Sequence, residues 1–192
     1  MSPATALPTT YRGTTFRSRL EARWAVFFDT LGIRWEYEPE GFALPSGNYL
    51  PDFRLPGLNM FAEVKPARVD DPRHGELVDA TGMHIAILCG PVESPPWLGG
   101  PGNLVYDGHY FWRASGDNGE GGICSWDLMH TFAICDVCSA ISFNFAGDGE
   151  RICHQSENNY AHASRGYGDF AKASLEDAYE AARGYRFWEP KE

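Results

Sequence analysis

Residues 47–70 read GNYLPDFRLPGLNMFAEVKPARVD, and the prolines in this stretch leave few ways to fold it. Proline cannot donate to a β-ladder, so Pro51 belongs at a strand edge or a bulge, where a strand is re-aimed. "PGL" at residues 56–58 is turn chemistry between two strand-like runs, residues 48–55 and 59–65, so the chain doubles back as a hairpin. Pairing about Gly57 and Leu58 sets Leu55 against Met60, and the same register carries Asp52 opposite Glu63. Alternation then gives Glu63 and Lys65 one face and Ala62 and Val64 the other.

Directly opposed Cβ atoms in such a ladder are about 4.5–5.5 Å apart, and Lys65 follows on the same face about 6.5–7 Å along the strand. Two unit charges 4 Å apart repel by about 4 kcal/mol at an effective dielectric near 20; a divalent cation between them reverses the sign. An oxygen-rich pair of carboxylates suits Mg²⁺ or Mn²⁺, and a lysine beside it can orient a water or offset developing charge. That is equipment for phosphodiester hydrolysis. A plain solvent-facing hairpin carries the same residue types, and spacing alone does not separate the two readings.

Around the hairpin the pattern is helix, three strands, helix, strand, which predicts an α/β layer arrangement. Residues 14–31 read as an amphipathic helix capped by Thr14 or Thr15 and stopped by Gly32. Phe16, Leu20, Trp24, Phe27, Phe28 and Leu31 form its apolar sector. Glu21 falls roughly 80° from the sector's centre, at a margin that can border a core and face a cleft; the ordinary alternative is a pair with Arg17 four residues back. Residues 33–40 predict the first strand, 70–80 a short helix, and "MHIAILCG" at 83–90 a buried strand. Residues 93–122 are a loop-rich connector around one strand at 104–114, and its Gly-rich loop lacks the lysine of a phosphate-binding motif. The chain closes with a helix at 172–188 that Ser174 can cap, and its stripe of Leu175, Ala178, Tyr179 and Ala182 predicts docking onto the core.

The net charge of −10 opposes nonspecific binding to polyphosphate. It is unevenly spread: residues 1–65 hold seven Lys/Arg and seven Asp/Glu, while residues 101–192 hold seven and fourteen. Arg12, Arg17, Arg19 and Arg23 gather at the front, so the amino-terminal half is the expected face toward nucleic acid. No run approaches the roughly 20 apolar residues of a membrane helix, and no secretory pattern opens the chain. A cytoplasmic protein with no membrane partner is expected.

The segments FRSRLEARWAVFF, WEYEPE and YLPDFRLPGLNMFAEVKP together resemble the PD-(D/E)xK nuclease superfamily. More narrowly, they are similar to small phage endonucleases of the junction-resolving type and to the endonuclease subunit of some bacterial transposons. The likeness covers about residues 10–90, within an expected nuclease core over residues 10–92: a helix glutamate, Glu21; Pro51–Asp52 opening the second strand; and Glu63-x-Lys65 on the third. It implies a restriction-endonuclease-like core with a three-stranded antiparallel hairpin sheet. It also implies Mg²⁺ or Mn²⁺ held by Glu21, Asp52, Glu63 and the Val64 carbonyl, with Lys65 assisting the attacking water. DNA is the implied substrate, contacted by Arg12 and Arg17, and a homodimer follows from the two cuts that a duplex or junction needs.

Four of the five cysteines lie between Cys124 and Cys153. With no export signal they argue against a disulfide framework. Cys135-x-x-Cys138, then a strand, a turn and Cys153–His154 resemble a zinc ribbon over residues 123–165, with Cys135, Cys138, Cys153 and His154 as structural Zn²⁺ ligands. Cys124, His130 and His162 are other candidates for the fourth ligand, and buried free thiols are the plain alternative. A protein partner through this module is as consistent as DNA contact. The competing functional expectation is a nuclease-like scaffold that does not cut and serves as a zinc-ribbon adaptor.

Overall fold

The computed structural model describes residues 6–67, 69, 71–92, 110–112, 130–134, 141–145 and 169–187. Its first element departs from the expected helix. Thr9–Tyr11 (β1) and Thr14–Phe16 (β2) pair as an antiparallel hairpin. Arg12 and Gly13 both adopt positive φ, 46° and 82°, as a two-residue hairpin turn that follows the strand twist requires. Helix α1 therefore begins later, at Arg19, and runs to Thr30. Its cap is Ser18, not Thr14 or Thr15: the Glu21 N–H donates to Ser18 Oγ at 3.2 Å. Ser18-Arg19-Leu20-Glu21 has the Ser-x-x-Glu pattern of a capping box, a signal present in the sequence and more specific than a lone threonine; here the Glu21 carboxylate accepts from the Arg17 N–H and from Ser18 Oγ.

Next come β3 (Glu36–Tyr37), β4 (Phe42–Leu44), β5 (Gly47–Tyr49), β6 (Phe53–Leu55) and β7 (Met60–Lys65). The first strand, expected over 33–40, is only two residues long. The strand expected over 48–55 is broken at Pro51: its front half pairs with β4 as a separate hairpin, and its back half joins the main sheet. Proline's missing N–H at the break is the physical cause. One turn of 3₁₀ helix over Pro56–Leu58, closed by Asn59 at φ 50°, links β6 to β7. The ladder pairs Leu55 with Met60, Arg54 with Phe61 and Phe53 with Ala62, the register expected from the turn.

Helix α2 spans Pro72–Thr81. Asp71 caps it, Pro72 sits where no N–H is needed, and Gly82 ends it at φ 67°. The crossover brings β8 (His84–Cys89) parallel to β7, and β9 (Tyr110–Trp112) pairs antiparallel to β8. The sheet thus has five strands in the order β3-β6-β7-β8-β9, mixed where a three-stranded antiparallel hairpin sheet was expected. The class is α/β. A further hairpin joins β10 (His130–Ile134) to β11 (Ile141–Phe145). Helix α3 covers Asp169–Gly184, so Ser174 lies inside it and not at its cap.

Each sheet face has its own core. On one, Phe53, Leu55, Met60, Ala62 and Val64 meet α1, α3 and Phe132. Trp24, Phe27 and Phe28 are fully buried there. Phe28 meets Phe53 edge-on with ring centres 5.3 Å apart, and Phe27 lies 4.6 Å from Tyr179. The expected stripe of α3, Leu175, Ala178, Tyr179 and Ala182, is buried as predicted. On the other face, Phe61, Ile85 and Ile87 pack with Leu77 and Val78 of α2 and with Leu44 and Tyr49. Burying a large apolar side chain is worth roughly 1.5–3 kcal/mol, so both faces of the central strands are firmly clamped. Among the described residues no helix is long and apolar enough to cross a membrane.

Candidate active site

Asp52 sits one residue beyond the β6–β7 ladder, where the register carries it to Glu63. Its N–H donates to Glu63 Oε2 at 3.2 Å, and the Val64 N–H donates to Asp52 Oδ2 at 2.8 Å. The Glu38 N–H donates to the Asp52 carbonyl at 2.9 Å, which fixes the backbone just after the Pro51 break. Both acids are buried, with 2% and 3% of their surface exposed. Lys65, on the same face of β7, donates to Glu63 Oε1 at 2.5 Å. The sequence thus located three of the four expected catalytic residues on one small surface. Val64 meets Asp52 through its N–H; the resemblance had implied a role for its carbonyl.

Burial is the main reason that the Asp52 carboxyl is pushed up to about 7, and the neighbouring charge of Glu63 adds to it. Two carboxylates in one desolvated place cannot both ionise without cost, and the Val64 N–H and the Lys65 ammonium only partly offset it.

Glu21 is buried at the start of α1, deeper than the polar margin expected from its angle. Its Oε2 accepts from the Tyr37 hydroxyl at 2.6 Å and from the Arg17 N–H at 3.1 Å, and its Oε1 accepts from Ser18 Oγ at 2.6 Å. Arg17 joins Glu21 to the other acids. It precedes the helix, so its side chain does not lie over Glu21. The guanidinium instead donates to Asp52 Oδ1 at 2.5 Å and pairs with Glu38 at 2.7 Å. Arg12 is not brought to this cluster: it pairs with Asp29 at 3.1 Å, eight residues or about 12 Å further along α1.

Three residues escaped the sequence reading. Tyr37, from β3, anchors Glu21. Tyr49 and His74 lie on the Glu63 side of the sheet, their rings 5.8 Å apart and edge-on. Burial and then the Glu63 charge raise the Tyr49 phenol, and burial lowers the His74 imidazole. Both are buried, and among the described residues neither ring nitrogen of His74 has a hydrogen-bond partner. Buried polar atoms left so are rare and costly, and a bound water or ligand is their usual partner. The β4–β5 hairpin positions Tyr49: Arg73 of α2 donates to the Asn48 carbonyl at 3.1 Å and lies 5.3 Å from the Tyr49 ring centre. No local pattern announced either residue, because they meet only through packing.

Among the described residues no three His, Cys, Asp or Glu side chains converge as a ready metal cage. The reason is visible in the contacts: Arg17 and Lys65 occupy oxygens of Asp52 and Glu63, while Glu21 is turned toward Ser18 and Tyr37. The expected zinc ligands Cys135, Cys138, Cys153 and His154 lie outside the described residues. No family model, curated protein or solved structure matches this chain.

Proposed function

We propose that this chain is a metal-dependent endonuclease that hydrolyses phosphodiester bonds in DNA on a restriction-endonuclease-like core. The observation that carries the reading is the buried Asp52–Glu63 pair with Lys65 bonded to it, reached by Glu21 through Arg17. Two adjacent buried carboxylates, one with its proton affinity raised, are poorly explained by stability alone. Their oxygen chemistry fits Mg²⁺ or Mn²⁺, held by Asp52 and Glu63 with Glu21 and the Val64 carbonyl completing the site. When bound, the cation supplies Lewis acidity toward a phosphoryl oxygen and a nucleophile at neutral pH. For both acids to serve, Arg17 must release Asp52 and Lys65 must release Glu63. Each freed cation is then placed to meet phosphate oxygens, Lys65 beside the attacking water and Arg17 at the mouth of the cluster.

A cleavage assay on supercoiled plasmid, branched DNA and RNA with Mg²⁺ or Mn²⁺ tests this. Asp52→Ala and Lys65→Ala should each lose about 10²-fold or more in rate, the scale of removing one charge-stabilising group. Undiminished cutting by Asp52→Ala would sink the proposal. The second reading, a binder that does not cut, draws on the Arg17–Asp52 and Lys65–Glu63 pairs, which neutralise the acids internally. It predicts binding without cleavage of any substrate in the same panel.

A further inference from the structure

Asp52 and Glu63 divide their oxygens in the same way. Asp52 Oδ2 and Glu63 Oε2 accept backbone N–H groups, from Val64 and Asp52, while Asp52 Oδ1 and Glu63 Oε1 accept from the side-chain cations Arg17 and Lys65. The oxygens held by side chains are those a divalent cation needs. The two side-chain cations are tethered differently. Lys65 stands on β7 two residues from Glu63, so the strand itself keeps it beside that acid. Arg17 comes from the link between β2 and α1, 35 residues from Asp52 in sequence. Its guanidinium bridges Asp52 at 2.5 Å and Glu38 at 2.7 Å. The side chain is 56% exposed over an acid that is 3% exposed, so it can leave without moving a strand or a helix. Its backbone N–H bonds Glu21 and Tyr37, which keeps the main chain in place when the side chain turns. Breaking a pair on a buried acid leaves an uncompensated charge, so Arg17 leaves Asp52 at least cost when another cation arrives.

We propose that Arg17 is an autoinhibitory latch: bonded to Asp52 and Glu38 it competes with the divalent cation for Asp52, and a phosphate of the nucleic-acid backbone draws it away, so that cation and substrate load together. The latch rests on the nuclease reading. A guanidinium fork that holds two carboxylates also matches two phosphate oxygens, so the exchange replaces one set of charge-assisted bonds with another. The apparent affinity of a ligand falls by the fraction of molecules in the competent state. A latch open about one-tenth of the time therefore weakens cation binding about tenfold. By linkage, whatever opens the latch raises cation affinity, and a bound cation raises phosphate affinity by the same factor.

The test is an Mn²⁺ titration of the full chain at pH 8 without nucleic acid, read by electron paramagnetic resonance, with Asp52→Asn as the blank. Arg17→Ala and Arg17→Lys should both bind Mn²⁺ about tenfold more tightly than the wild type. The lysine keeps the charge but lacks the fork that holds Asp52 and Glu38 at once. Equal affinity in the wild type and both variants overturns the latch and leaves the metal site standing. A gain in Arg17→Ala alone also overturns it, because charge and not the fork would then be the cause. No Mn²⁺ above the blank in any variant removes the metal site, and the nuclease reading with it. The opening anion is tested by fluorescence anisotropy of a labelled 20-bp duplex in EDTA. Asp52→Asn should tighten binding more in the chain that keeps Arg17 than in Arg17→Ala, a coupling that a double-mutant cycle isolates. Equal gains in the two backgrounds, or no binding in either, overturn phosphate as the group that draws Arg17 away.

Discussion

Asp52 carries the strongest conflict in the molecule. It is buried against Glu63, and its proton is held up to about 7, so the folded chain retains that proton at pH values where the unfolded chain has lost it. The sign follows: stability is greatest below the ordinary carboxylate value and falls as pH rises from about 4 to about 7. Urea denaturation across this range should show the decline in the wild type and a flatter profile in Asp52→Asn, with the variant the more stable of the two at pH 8. Identical profiles would show that Asp52 is not strained. A cation between the acids removes the same conflict, so Mg²⁺ should stabilise the wild type more at pH 8 than at pH 5. Asp52, Glu63 and Lys65 were legible because a two-residue alternation and one turn fix where they point. The role of Arg17 was not, since whether it sits on the helix or before it depended on one cap.

That cap belongs to the scale of elements. Ser18 fixes the first turn of α1 and also donates to Glu21, so it ties helix start to site. Ser18→Ala should cost about 1 kcal/mol and lower the melting temperature by a few degrees. An unchanged calorimetric transition would mean that Tyr37 and Arg17 hold Glu21 unaided. The strand split at Pro51 has a similar double effect. It sends β5 toward α2, bringing Tyr49 to the Glu63 side, and leaves the Asp52 N–H to the Glu63 carboxylate in place of a ladder partner.

At the scale of the molecule, segments far apart in sequence close one core: Phe132 of β10 is fully buried among Trp24, Phe27 and Phe28, beside Tyr179 of α3. Ile134 and Ile141 pair at the end of the β10–β11 hairpin, and the six residues between them include Cys135 and Cys138. Zinc held there would bear on this shared core. Mass spectrometry of the purified protein should find zinc, Cys135→Ser and Cys153→Ser should lose it, and His154→Ala should retain less than His162→Ala. Equal retention in the two histidine variants would undo the assignment of His154.

By itself the sequence determined the local geometry: a hairpin whose turn sets the register of Asp52 against Glu63, a buried strand at 84–89, and an apolar stripe on the last helix. These follow from backbone stereochemistry and side-chain periodicity, which act over a few residues. Only the tertiary structure decided that Arg17 covers Asp52, that Tyr49 and His74 face each other beside Glu63, and that Arg23 of α1 reaches the carbonyls of Ala182 and Arg183 on α3. Such neighbours are chosen by how whole elements pack, and sequence spacing carries no record of distances between residues 160 positions apart.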